Sequence, residues 1–121
     1  MPLMVEPLEA VVPAAGGKST HQLTNNTDQR MIFKIRSTNN DEYRVRPVFG
    51  FVDPAGNASI EVTRLNGPPK DDRIVVQFAP APKNANDARE AFGRTEYDSR
   101  AAGRTAQLQK VMVDEDGNND G

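Results

Sequence analysis

Met31-Ile32-Phe33-Lys34-Ile35-Arg36-Ser37-Thr38 and, later, Asp72-Arg73-Ile74-Val75-Val76-Gln77-Phe78 decide the architecture of this chain. In the first stretch Met31, Phe33 and Ile35 alternate with Ile32, Lys34 and Arg36. A period of two belongs to a strand, whose successive side chains point to opposite faces. The stretch is therefore a half-buried strand with a basic outer face. In the second, Ile74, Val76 and Phe78 face one way and Arg73, Val75 and Gln77 the other, which makes it the strongest strand of the chain.

Outward from these two, the chain breaks into short extended segments separated by turn residues. An irregular N-terminal stretch ends at Gly16-Gly17, and Lys18 to Thr24 forms a strand closed by Asn25-Asn26-Thr27-Asp28. Tyr43-Arg44-Val45-Arg46 is stopped by Pro47, and Phe49-Gly50-Phe51-Val52 runs into the turn Asp53-Pro54-Ala55-Gly56. Ala58 to Leu65 places Ile60 and Val62 on one face and Ser59, Glu61 and Thr63 on the other. Ala79 to Gly103 scatters Pro, Asn and Gly among Ala and charges. It is expected to be a long loop, with at most one helical turn at Asp87 to Phe92. Arg104 to Val113 is the last strand; its apolar parity slips between Leu108 and Val111, which asks for a bulge. About seven short strands at spacings of roughly 8–12 residues predict an all-β fold, a β-sandwich.

The 121 residues suffice for one domain, expected over residues 1–113, and 36% hydrophobic with 26% charged residues is a soluble globular profile. No apolar run approaches the ~18 residues of a membrane span, and Met1 to Leu8, without a basic stretch followed by an apolar one, is not expected to be a signal peptide. There is no cysteine, so disulfides and thiolate metal sites are excluded, as a reducing cytosol would permit. A single histidine, His21, excludes a multi-histidine metal centre. The net charge of −2 is unevenly spread: Asp114, Glu115, Asp116 and Asp120 fall in residues 114–121, which leaves +2 on the rest. Residues 114–121 are expected to form a disordered acidic tail, with competition for the body's own basic patch as the sharper alternative. No basic groove with interleaved aromatics points to nucleic acid.

Catalytic chemistry finds no constellation. Ser19 and His21 are neighbours in sequence, which says nothing of a triad, and His21 is expected at the surface or beside a turn. The acids from Asp114 onward lack the later Glu of a calcium loop, and glycine-rich phosphate motifs are absent. No cofactor is expected.

One block carries more than pattern. Phe33-Lys34-Ile35-Arg36-Ser37-Thr38, then Tyr43-Arg44-Val45-Arg46-Pro47, then Gly50-Phe51-Val52-Asp53-Pro54, then Asp72-Arg73-Ile74-Val75-Val76-Gln77-Phe78 together resemble the signature of major sperm protein (MSP) domains. Gly16 to His21 and Arg64 to Asp72 look like the small sperm-specific class of nematodes, which includes the MSP fiber protein that modulates cytoskeleton assembly. The resemblance implies a seven-stranded immunoglobulin-like sandwich that works by binding proteins. It also implies a structural, sheet-switching cis proline at Pro47, with Pro7 as a second. In the membrane-anchored relatives, which capture acidic phenylalanine-containing (FFAT) peptides, the binding face matches Arg36, Thr38, Arg73 and Val75 here. Lys34 extends the strip. Two positions depart from those relatives: Val75 stands where they have methionine and Gln107 where they have lysine. The plainer alternative is that Lys34, Arg36 and Arg73 form a solvated basic sheet face. The implied partners are MSP filaments and associated sperm cytoskeletal proteins, in the cytoplasm of the sperm pseudopod. An acidic-peptide adaptor is the alternative, and a filament-forming subunit ranks below both. No membrane insertion is expected.

Overall fold

Strand β4 (Met31–Ser37) buries Met31, Phe33 and Ile35 on its inner face; on the other face Ile32 is buried, Lys34 half-buried and Arg36 exposed. The computed structural model describes residues 3–68, 71–98 and 104–114; the segment 115–121, and with it most of the expected acidic tail, lies outside the described residues. Around β4 stand β1 (Leu3–Glu6), β2 (Ala10–Pro13), β3 (Gly17–Asn25), β5 (Tyr43–Arg46), β6 (Phe49–Val52), β7 (Asn57–Arg64), β8 (Asp71–Pro80) and β9 (Arg104–Asp114). One helix, α1 (Ala88–Asp98), lies between the last two strands.

The strands form two sheets, β1-β3-β7-β5 and β2-β9-β8-β4-β6. All pairings are antiparallel except β2 with β9, which run parallel. The chain changes sheet between β1 and β2 and again between β5 and β6. Those two gaps begin at the cis peptides Glu6–Pro7 and Arg46–Pro47. The architecture is an immunoglobulin-like β-sandwich. Its strand segments number nine among the described residues, against the seven expected. The difference is β1 and β2, which lie in the stretch read as irregular: at four residues each, split around Pro7, they are too short for their alternation to stand out.

Leu3, Val5, Leu23, Tyr43, Ile60 and Val62 of one sheet meet Phe33, Ile35, Ile74, Val76 and Phe78 of the other in the main core. Gly50 is needed where Phe33 crosses β6, since a Cβ there would sit 2.6 Å from Phe33 Cζ. The bulge expected in the last strand is present: Asp72 pairs with Val111 and Ile74 with Leu108, so β9 carries one extra residue.

Ala79 to Gly103 is not a loop throughout, contrary to the sequence expectation. β8 continues to Pro80, and α1 occupies Ala88–Asp98. Asp87 caps the helix, its carboxylate accepting the Glu90 amide at 3.2 Å, and Arg94 pairs with Glu90 one turn earlier at 3.0 Å. Ala91 and Phe92 are buried against Ile32, Ala79 and Ala85, with Phe49 and Phe51 alongside. Burying side chains such as Ile32 and Phe92 contributes about 1.5–3 kcal/mol each. Arg30 fastens the approach to the helix: its Nη1 donates to the Ala85 carbonyl at 2.8 Å and its guanidinium lies 3.7 Å above the Phe51 ring.

Candidate partner-binding face

The register of β4 against β8 brings the expected binding residues together on the outer face of the five-stranded sheet. Arg36 pairs with Val75 and Lys34 with Gln77. Arg73 is diagonal to Arg36, about 7 Å away by sheet geometry. Just beyond β4, the Thr38 amide donates to the Arg73 carbonyl at 3.0 Å, and the Arg73 amide donates to Thr38 Oγ1 at 3.0 Å. The Thr38 hydroxyl is thus engaged within the sheet, where it fixes the end of the β4–β8 ladder. Arg36 and Arg73 are exposed, and Val75 between them is half-buried.

Helix α1 divides this face. Over Ile32, Phe49 and Phe51 the sheet is covered, so of the outer face expected for β4 at Ile32, Lys34 and Arg36 the Ile32 end is buried under the helix. Beyond the helix the sheet is open, and there Arg36 and Arg73 make no ion pair with any described residue. Lys34 stands at the boundary, its ammonium 5.4 Å from the Phe49 ring, which Arg89 of the helix also approaches at 4.8 Å. An open groove of about 570 Å³ follows, between Pro47, Val48 and Phe49 on one side and Ala88 and Arg89 on the other. Gln107 is the register partner of Val75 on β9.

Behind the open half lies a buried polar junction that sequence reading missed. Arg64 is 1% exposed, on the inward parity of Ile60 and Val62. Its Nη1 lies 3.2 Å from Glu42 Oε1 and 3.9 Å from Asp72 Oδ2, and its Nη2 donates to the Pro68 carbonyl at 2.7 Å. Asn39 Nδ2 bridges the same two carboxylates at 2.8 and 3.3 Å. Tyr43 packs beneath the guanidinium, and burial pushes its phenol above 10.0 although the Arg64 charge pulls the other way. Asp72 precedes Arg73 and Asn39 follows Thr38, so this junction holds the backbone that presents the face. The signal was available: Arg64 continues the inward series Ala58, Ile60, Val62.

His21 is 1% exposed, not at the surface as expected. Its Nδ1 is 2.8 Å from the Pro7 carbonyl and its Nε2 2.8 Å from Ser19 Oγ. A carbonyl only accepts, so Nδ1 carries the proton and, in the neutral ring, Nε2 accepts from the serine. The histidine ties the β1–β2 crossing to β3, and the Pro7 carbonyl occupies the Nδ1 position where a triad would place a carboxylate. Among the described residues no group of three or more His, Cys, Asp or Glu could hold a metal, and no helix is long and apolar enough to cross a membrane.

The family model described as MSP (Major sperm protein) domain matches residues 2–101. The chain belongs to the MSP domain family. This MSP domain is 55% identical to sperm-specific class P protein 9/11 of Caenorhabditis elegans over 92 residues, 76% of this chain and 84% of that protein. Among solved structures it superposes on SSP-19, an MSP-domain protein like family member of Caenorhabditis elegans, with a TM-score of 0.82 at 44% identity, covering 92% of this chain and 98% of that one. The C. elegans MSP family member WR4 follows at 0.72 and 39%, covering 93% and 94%. The family is non-enzymatic, and so is this MSP domain.

Proposed function

We propose that this MSP domain modulates the assembly of MSP-based cytoskeletal filaments in nematode sperm, acting in the cytoplasm of the motile pseudopod. It docks on filament subunits or their associated proteins through Lys34, Arg36, Thr38, Arg73 and Val75. The observation that supports this reading is the pair Arg36 and Arg73, exposed and without an ion pair among the described residues, on the half of the sheet that α1 leaves uncovered. The membership in a family of sperm proteins supplies the setting. The test is fiber growth from MSP in sperm extract with the pure protein added in rising amounts. A dose-dependent change in elongation rate is expected; an unchanged rate with no co-sedimentation overturns the reading.

A second reading is an adaptor for acidic FFAT-like peptides, favoured by Arg36 and Arg73 at diagonal positions about 7 Å apart on the sheet, with the apolar Val75 opposite Arg36. Titration with such a peptide separates the two readings.

A further inference from the structure

We infer that the groove between the β5–β6 crossing and the start of α1 receives the exposed loop Glu6-Pro7-Leu8-Glu9 of a second copy of this chain. Leu8 enters the groove, and the two glutamates meet Arg46 and Arg89. The Arg36–Arg73 face takes no part in this contact.

The loop is an apolar knob between two acids. Of the large hydrophobic side chains among the described residues, Leu8 is the most exposed, at 52%. Glu6 and Glu9 beside it are exposed and make no ion pair with a described residue. Such a knob is complementary to an apolar hollow with cations on its rim. It is also preformed: the Pro7 carbonyl accepts the His21 Nδ1 proton at 2.8 Å, so docking freezes little further motion.

The groove has the opposite character. Pro47, Val48 and Phe49 give it an apolar bed, and Val48 is itself among the exposed large hydrophobics. Arg46 stands on the crossing wall and Arg89 on the helix wall, both exposed and neither in an ion pair with a described residue. Other arginines of the chain are unpaired too; these two are set apart by the apolar hollow of about 570 Å³ between them. Asp87 is the one acid among the lining residues, and its carboxylate already accepts the Glu90 amide. A guanidinium takes a carboxylate in two parallel hydrogen bonds, so each glutamate of the loop has a matching fork. The bed is fixed as well, since the Ile35 amide donates to the Val48 carbonyl at 2.8 Å.

Topology keeps the knob from its own groove. β1 and β5 are the two edges of the four-stranded sheet, and β2 and β6 those of the five-stranded sheet. The β1–β2 loop and the β5–β6 crossing therefore lie on opposite flanks of the sandwich. One copy can fill its groove and offer its loop at the same time, so the contact is heterologous and runs head to tail with no closing two-fold. A four-residue loop buries far less than the about 800 Å² per partner of a standard interface. The association is accordingly weak and loosens in salt.

Sedimentation equilibrium of the full chain at low salt tests this. Between about 0.02 and 1 mM protein the weight-average mass should rise by about half or more, and about 0.5 M salt should reverse the rise. Leu8→Asp leaves a groove without a usable loop; Arg46→Gln with Arg89→Glu leaves a loop without a usable groove. Each protein alone should stay monomeric, with an unchanged urea midpoint. Mixed, the two should form a one-to-one complex and nothing larger, because a single knob and a single groove remain between them. A natural chain that stays monomeric at about 1 mM, a variant that associates alone, or folded variants that fail to complement each other overturn the inference. A synthetic peptide of residues 4–11 that shifts the Val48 and Arg89 amides, while the chain itself stays monomeric, assigns the groove to an acidic segment of another protein and removes the second copy.

Discussion

Arg64 Nη1 lies 3.2 Å from Glu42 Oε1 with the arginine side chain wholly out of solvent, and this pair ties the end of β7 to the turn before β5. The consequence reaches the functional face. Glu42 and Asp72 are held by the same guanidinium and bridged by Asn39, whose neighbour Thr38 clasps Arg73. The open face therefore stands on a buried charge cluster and not on the apolar core alone.

Breaking that cluster from one side is costly, because two carboxylates lose their cation while desolvated. Arg64→Leu is expected to lower stability by about 3–5 kcal/mol. Urea unfolding measures it. A loss below about 1 kcal/mol would mean that water replaces the guanidinium at little cost.

Tyr43 gives the chain an alkaline limit. Burial raises the folded phenol above 10.0, so ionisation is harder in the fold than in the unfolded chain. The neutral phenol's advantage is complete below the unfolded value, and is lost as pH climbs from about 10 through the folded value. Unfolding free energy should fall over that window, and Tyr43→Phe should flatten the fall. An identical slope in the variant would assign the pH dependence to other groups.

Helix α1 rests on the outer sheet through Phe92, which is 2% exposed and meets Phe49 edge-on at 6.1 Å. Phe92→Ala should cost about 3 kcal/mol and reduce the helical signal in circular dichroism. The β4–β8 register, and with it the Arg36–Arg73 face, should persist in nitrogen–proton correlation spectra. A collapse of the Thr38 and Arg73 resonances in that variant would show that the helix organises the face as well as covering half of it.

Much of the sandwich was legible because β4, β7 and β8 carry a period of two in their apolar residues, and the turn residues around them mark off the remaining segments. Even the bulge of β9 showed in its slipped parity. The helix was hidden by its composition: alanine, charges and Gly93 gave no clear apolar stripe. Yet Asp87-Ala88-Arg89-Glu90 has the spacing of an N-terminal cap, and that local signal outweighed the scatter of Pro and Asn. Strand parity put Lys34 with Arg36 and Arg73 with Val75; their choice as one binding face, with Thr38, came from the family resemblance, and only the β4–β8 register makes the two strands neighbours. The Arg64 junction and the burial of His21 were not legible, since a charged or titratable residue is usually at the surface unless partners distant in sequence satisfy it. Arg64 meets Asp72 only across the two sheets, and His21 meets the Pro7 carbonyl only because β1 pairs with β3.

The exposed arginines should separate binding from folding. Arg36→Gln together with Arg73→Gln removes two charges that pair with no described residue, so stability should change by no more than about 0.5 kcal/mol. Binding to a filament subunit or an acidic peptide should fall by about tenfold or more, since each charge-assisted bond lost counts for about 1.5–3 kcal/mol at most and less where water screens it. The same variant should also lose most of the salt dependence of binding. Calorimetric titration at two ionic strengths, beside a urea melt, reads both quantities from one preparation. Unaltered affinity in a stably folded variant would shift the docking surface away from this sheet, with the groove between Pro47 and Arg89 as the next place to mutate.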